Sequence, residues 1–288
     1  MHLITRPFLT CALALAGLAP AWSEDAIPVR NSISTKPIIE GVAKLFMAAH
    51  PGPDFASVAG LSADAIKAVA AGEAQMASVV RDLKPAEKEA CPELKAQPFC
   101  IDVMVLVVHH DNAVAHLTAA QVKDLFCGGI ASWKDVGGAD APPVLVARID
   151  TFASLEFFES SFGVKRVVEG EGAAKTLRFK AGGPTAAMPS TNEKALAAVI
   201  ANPAAITFAS LGAVNDLKAK GAALKTVHID GIEPNAANVV AGKYAAKRHY
   251  CLITKGEPQG RIKDFITFLS GPEGQKVIVD KGYLPLAK

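Results

Sequence analysis

Nine residues, Ile101–His109 (IDVMVLVVH), form an almost unbroken apolar run rich in β-branched side chains. A strand with one wet face alternates apolar and polar residues. A strand covered on both faces does not have to. The run therefore predicts a buried strand inside a layered fold. Segments on either side of it switch between helical and extended character. Helical spacing predicts helices over Pro37–His50, Ser62–Ala74, Thr118–Phe126, Thr151–Phe162, Asn192–Ala201, Pro258–Leu269 and Pro272–Lys281. Ser62 and Thr118 stand as N-caps, and Asn202-Pro203 stops its helix. Lys84–Ala90 reads as a polar helical turn. Apolar strand-like runs occupy Phe55–Val58, Gln75–Val80, Pro143–Arg148, Ala205–Ala209, Lys225–Ile229 and His249–Thr254. This alternation predicts an α/β fold with mostly parallel sheets flanked by helices. Such sheets bind ligands beyond the carboxyl ends of their strands.

A chain of 288 residues is long enough for two lobes with their own cores. A formal net charge of +2 points to neither nucleic acid nor an acidic surface as partner. Arg6, the apolar run Pro7–Ala21 and the small-x-small triplet Ala21-Trp22-Ser23 read as a signal peptide over residues 1–23, cut before Glu24. The run is too short for a permanent membrane span. Lipidation at Cys11 fits less well, because Phe8-Leu9-Thr10 is a poor approach to a lipidated cysteine. The expected location is therefore the periplasm. Four cysteines follow the cut: Cys91, Cys100, Cys127 and Cys251. An even number in an exported chain favours disulfides. Cys91 and Cys100 flank a short Pro-containing loop (PELKAQPF) and make the first expected pair, leaving Cys127 with Cys251. No Cys-x-x-Cys spacing supports a metal site instead.

Three stretches carry a family resemblance: LTAAQVKDLFCGGIASWKDVGG (Leu117–Gly138), RHYCLITKGEP (Arg248–Pro258) and LSGPEGQKVIVDKGYLPL (Leu269–Leu286). They resemble the periplasmic phosphate-binding proteins that serve ABC transporters, and the likeness extends over most of the mature chain. It implies a two-lobe, type II periplasmic binding protein fold with a two-strand hinge, Ile101–His109 against His249–Thr254. Lobe one would be residues 24–108 plus 251–288, and lobe two residues 109–250. It also implies a monomer without cofactor, a small oxyanion such as phosphate as ligand, and an ABC permease as partner.

The resemblance places anion donors in three loops. In Asn31–Pro37 (NSISTKP), Ser32 and Ser34 keep hydroxyls and Thr35 offers its N–H; simple N-capping by Ser34 is the plainer alternative. In Ala59–Ile66 (AGLSADAI), Ser62 keeps the anion-facing hydroxyl or acts only as an N-cap, while Leu61 and Ala63 replace glycines. In Arg148–Leu155 (RIDTFASL) relatives read Gly-Ser-Gly-Thr. Arg148 stands at the anion-binding Arg position and Ser154 at the Thr position. Thr151 and Phe152 replace Gly-Ser, and Ala153 replaces the second Gly. Arg81 either adds charge to the cleft or pairs with Asp82 or Glu87. Ser190, Thr191 and Asn192 begin a further helix as ligand contacts or caps. Gln75 and Val80 replace an Asp and a Ser of the relatives, so no carboxylate maps onto the place where one would accept the proton of phosphate. A hydrogen bond to a charged group contributes about 1.5–3 kcal/mol. Losing two of them, at Val80 and Phe152, would weaken binding by roughly two to four decades. The rival expectation keeps the fold but gives the cleft a sensory or interaction role, or an organic ligand.

Other chemistry has little sequence support. There is no nucleophile elbow, zinc helix or phosphate loop, so no enzyme is expected. His109-His110-Asp111 reads as a solvated turn rather than a metal site. Trp133 reads as core, and Lys243, Lys247 and Arg248 as a solvated basic face.

Overall fold

The computed structural model describes residues 26–147, 152–171, 175–189 and 191–286, with backbone alone at Phe152 and Asn192. The expected signal peptide lies outside the described residues, as do Arg148, Thr151 and Ser190. No described helix is long and apolar enough to cross a membrane.

The chain opens with β1 (Ile27–Ser32), α1 (Lys36–Ala49), β2 (Phe55–Gly60), α2 (Ser62–Ala70), β3 (Met76–Val79) and α3 (Pro85–Ala90). Helix α1 forms because Ile38, Ile39, Val42, Ala43 and Phe46 share one face, which it buries. β1 pairs in parallel with both β2 and β3. Then comes β4 (Leu94–His109), the strand anticipated by the apolar run but longer at its start. Burial alternates at first and is continuous from Phe99 to His109. The middle of the chain adds β5 (His116–Leu117), α4 (Ala119–Cys127), β6 (Val144–Leu145), α5 (Phe152–Phe162), β7 (Val167–Glu169) and β8 (Thr176–Arg178). It continues through α6 (Asn192–Ala201), β9 (Ala205–Ser210), α7 (Leu211–Ala219), β10 (Leu224–Ile229) and α8 (Ala236–Val240). The chain then returns through β11 (Lys247–Lys255), α9 (Gly260–Ser270), α10 (Pro272–Asp280) and β12 (Leu284–Pro285).

β4 decides the architecture. Its first part, Leu94–Val103, pairs antiparallel with β11, which in turn pairs with β3. Its second part, Met104–His109, pairs antiparallel with β9 and β10. One strand thus passes out of one core and into another. The first core lies on both faces of the β1–β3–β11 sheet: Met76 and Leu252 face α1 and α9, while Ala77, Cys251 and Ile253 face α2. The second core gathers Leu106, Phe126, Trp133, Phe158 and Phe208. The sheet is mixed rather than mostly parallel, because every described pairing of β4 is antiparallel.

Three expectations fail for identifiable reasons. Segment Leu94–Phe99 is strand, not loop, because β11 supplies its hydrogen-bond partners. Leu94 to Cys100 then spans about 20 Å, beyond the reach of a Cys91–Cys100 bridge. Cys127 packs beside the second core and Cys251 lies in the first. All four cysteines are free thiols. Burial pushes the Cys100 and Cys251 thiols well above their ordinary range, so they are inert. The caps also differ by one residue. Thr35, not Ser34, is the N-cap of α1, and Leu61, not Ser62, that of α2.

The C-terminal segment forms a third link between the halves. β12 pairs with β4 at Ile101, and Leu284 and Leu286 pack on the second core. Here Gly212, in the first turn of α7, meets Gly282 backbone to backbone. A Cβ on Gly212 would stand 2.2 Å from the Cα and carbonyl oxygen of Gly282. Exchanging an exposed helical Gly for Ala normally stabilises by about 1 kcal/mol. Gly212→Ala is expected to do the opposite, costing about 1–3 kcal/mol through overpacking. Urea denaturation checks the sign.

Candidate functional site

A cavity of about 420 Å³ opens between the two halves. From the first half, Ile33, Ser34 and Pro37 line it, placed by the loop between β1 and α1. From the second half come Ser154 in the first turn of α5, Thr191 before α6, and Ser210 at the end of β9. The hinge strands form its floor with Asp102, Met104, Arg248 and Tyr250. Hydroxyls from both halves, one charged pair and Glu193 at the start of α6 therefore face a common space. Thr191 caps α6 by accepting from the Lys194 N–H at 3.2 Å, which leaves its own O–H free to donate.

The charged pair is buried. Arg248 stands opposite Asp102 in the β11–β4 register. Its Nε and Nη2 donate to Asp102 Oδ2 at 3.0 and 2.8 Å. The Tyr250 hydroxyl donates to the same oxygen at 3.0 Å. Burial, reinforced by the Asp102 charge, holds the Tyr250 hydroxyl well above its ordinary pKa, so it remains a donor at neutral pH. Asp102 Oδ2 thus takes three donors, and none of the described residues donates to Oδ1. Arg248 also reaches into the second half, donating from Nη1 to the Ala153 carbonyl at 2.8 Å and standing 4.6 Å above the Phe157 ring.

The sequence-predicted residues divide. Ser34 and Ser154 line the cavity. Ser32 and Thr35 turn inward to a buried cluster in which the Thr35 and Ser78 hydroxyls are 2.5 Å apart and Ser78 donates to Asn31 Oδ1 at 2.6 Å. The Thr35 N–H is taken by the Ser32 carbonyl. Ser62 accepts from the Val80 N–H at 3.4 Å and does not line the cavity. Arg81 takes the pairing alternative. It forks onto Glu87 at 2.7 and 2.8 Å and lowers the pKa of that carboxyl. Arg148 and Thr151 lie outside the described residues, and at Asn192 only the backbone at the start of α6 is described.

Residues 19–273 match the family described as PBP superfamily domain. The chain belongs to that superfamily. Among its relatives, Phosphate-binding protein PstS of Bacillus subtilis (strain 168) is 28% identical over 267 residues, covering 92% of this chain and 82% of its own. An ABC-type phosphate transport receptor from Vibrio cholerae aligns at TM-score 0.75 and 26% identity, over 90% of this chain and 99% of that one. A substrate-binding protein from Clostridium perfringens, solved with bound phosphate, aligns at TM-score 0.69 and 28% identity, over 91% of this chain and all of that one. These likenesses bear out the resemblance carried by Leu117–Gly138 and the two C-terminal stretches. The two-lobe, type II binding-protein fold is likewise borne out.

Within this PBP superfamily scaffold, the sequence reading missed the floor of the cleft. Arg248 is not part of a solvated basic face. Its side chain is 12% exposed and the Asp102 side chain 7%. The signal was present in the apolar run itself. A carboxylate in a strand covered on both faces needs a cation or donors, because an unpaired buried charge is costly. The opposing hinge strand carried that cation. Ser210 gave no comparable signal, since it reaches the cavity only because β9 ends there.

Proposed function

We propose that the protein is a periplasmic solute-binding protein that captures phosphate between its lobes and presents the closed form to an ABC permease. The observation that carries this reading is the cavity lined from both halves by Ser34, Ser154, Thr191 and Ser210 over the Asp102–Arg248 floor. Residues 24–108 with 251–288 act as one lobe and 109–250 as the other, after removal of residues 1–23. The working unit is a monomer without cofactor, and it performs no covalent chemistry. A ligand that touches both lobes only when they are closed shifts the population toward closure.

Each contact has a role. Arg148, at the anion-binding Arg position of the relatives, supplies the net positive charge, because the charge of Arg248 is already neutralised by Asp102. The hydroxyls and the N-terminus of α5 donate to phosphate oxygens. Asp102 supplies the acceptor that the relatives' loop provides and Val79–Arg81 does not. Its Oδ1 takes the proton that phosphate retains at neutral pH and sulfate lacks.

A thermal-shift panel of phosphate, sulfate, molybdate, nucleotides and amino acids tests this, repeated with Arg148→Ala. At a hundredfold excess over Kd, a ligand specific for the folded state adds about 2.7 kcal/mol, or several degrees in Tm. The expected result is a rise with phosphate, none with sulfate, and loss of the rise in Arg148→Ala. Stabilisation by no anion would leave the sensory or organic-ligand reading instead.

A further inference from the structure

We infer that Arg248 is a positioning residue for anion capture, a strut that seats the N-terminus of α5 on the hinge. The inference rests on the phosphate-binding reading and adds to it a residue that makes no ligand contact of its own. Arg248 sits where β4 exchanges partners: Val103 is the last β4 residue paired with β11, and Met104 the first paired with β9. Nε and Nη2 are held by Asp102 on β4. Nη1 is committed to the Ala153 carbonyl in the first turn of α5, and the guanidinium face to the Phe157 ring one turn on. Helix α5 otherwise belongs to the second core, through Leu155, Phe158 and Phe162. Yet Ala153 packs against the first core. The start of α5 is thus anchored to both halves at once, with Arg248 as the polar joint.

The placement matters because of what that turn carries. Ser154 faces the cavity from it, and Arg148, the anion-binding Arg position of the relatives, lies four residues before Phe152 in the sequence. Asp102 cancels the charge of Arg248, so the strut adds little attraction for an anion. Its planar fork fixes geometry instead. Lysine, with one ammonium, cannot hold Asp102 and the Ala153 carbonyl in the same arrangement or stack on Phe157 as a guanidinium does.

The test uses the full mature chain with Arg248→Lys, and with Phe157→Leu as a second variant that removes only the stacking. Two quantities are measured: amide hydrogen exchange without ligand, and the Kd for inorganic phosphate by calorimetry. The expected result for Arg248→Lys is faster exchange confined to the first turns of α5, unchanged exchange in α9 and α10, and phosphate binding weakened about ten- to hundred-fold. Phe157→Leu should move both readouts in the same direction by less. Unchanged α5 exchange overturns the inference, as does acceleration spread over both halves, which marks a general structural role. Faster α5 exchange with unchanged phosphate affinity overturns it too. A wild-type protein that binds no phosphate refutes the ligand reading; the exchange data then decide the strut alone.

Discussion

Replacing Asp102 by alanine is expected to destabilise the protein by about 3–5 kcal/mol. The side chain takes three donors on one oxygen, two from Arg248 and one from Tyr250. Removing it leaves a buried guanidinium without a counter-charge and takes from the Tyr250 hydroxyl its present acceptor. Asp102→Asn should cost less, because it keeps an acceptor of the same shape while losing the charge. The double variant Asp102→Leu with Arg248→Met should recover much of the loss, since apolar replacements of a buried pair are often close to neutral. Urea midpoints of the single and double variants, closed as a cycle, check this. A loss below about 1 kcal/mol for Asp102→Ala would mean that the pair behaves as an exposed one.

Trp133→Ala is the second large effect, expected to cost about 3–5 kcal/mol. The indole is buried in the second core, and its Nε1 donates to the Ala204 carbonyl at 2.9 Å. The short 3-10 turn Trp133–Val136 is held by reciprocal bonds between Ser132 and Asp135 and by the Trp133 N–H to the Ala141 carbonyl. A Cβ on Gly138 would meet the Trp133 Cβ at 2.8 Å, so the chain closes tightly over the ring. Alanine would leave a cavity and remove one of the two donors to the Ala204 carbonyl, which keeps the Val144 N–H. Trp133→Phe should keep most of the packing and lose about 0.5–1.5 kcal/mol with the indole hydrogen bond. Because Trp133 is the single tryptophan after the expected cut, its fluorescence during denaturation reports on the second core alone. Thermal unfolding of the two variants ranks the effects.

The helices and most strands were readable along the chain, because their signals are local. Thr118 accepts from the Gln121 N–H and Gln121 returns a bond to the Thr118 N–H, as a capping box requires. Helix α6 starts at Asn192 and ends at Ala201, before the Asn-Pro stop. Trp133 is core. The misreadings arose where a residue's partner lies far away in sequence. Leu94–Phe99 looked like a cysteine-bridged loop until β11 was found beside it. Ser32 and Thr35 looked like ligand groups until Ser78 closed their hydroxyls into a buried cluster.

Sequence alone determined the alternation of elements, the doubly covered central strand, the core place of Trp133 and the superfamily to which they belong. Periodicity and capping act within a few residues, so they survive in a one-dimensional record. Only the tertiary structure decided which hydroxyls share a cavity, that none of the four described cysteines is bridged to another, and that Arg248 is the counter-ion of Asp102. Those outcomes depend on strand register. Register brings together side chains far apart in the chain, and no local pattern states which of them will meet.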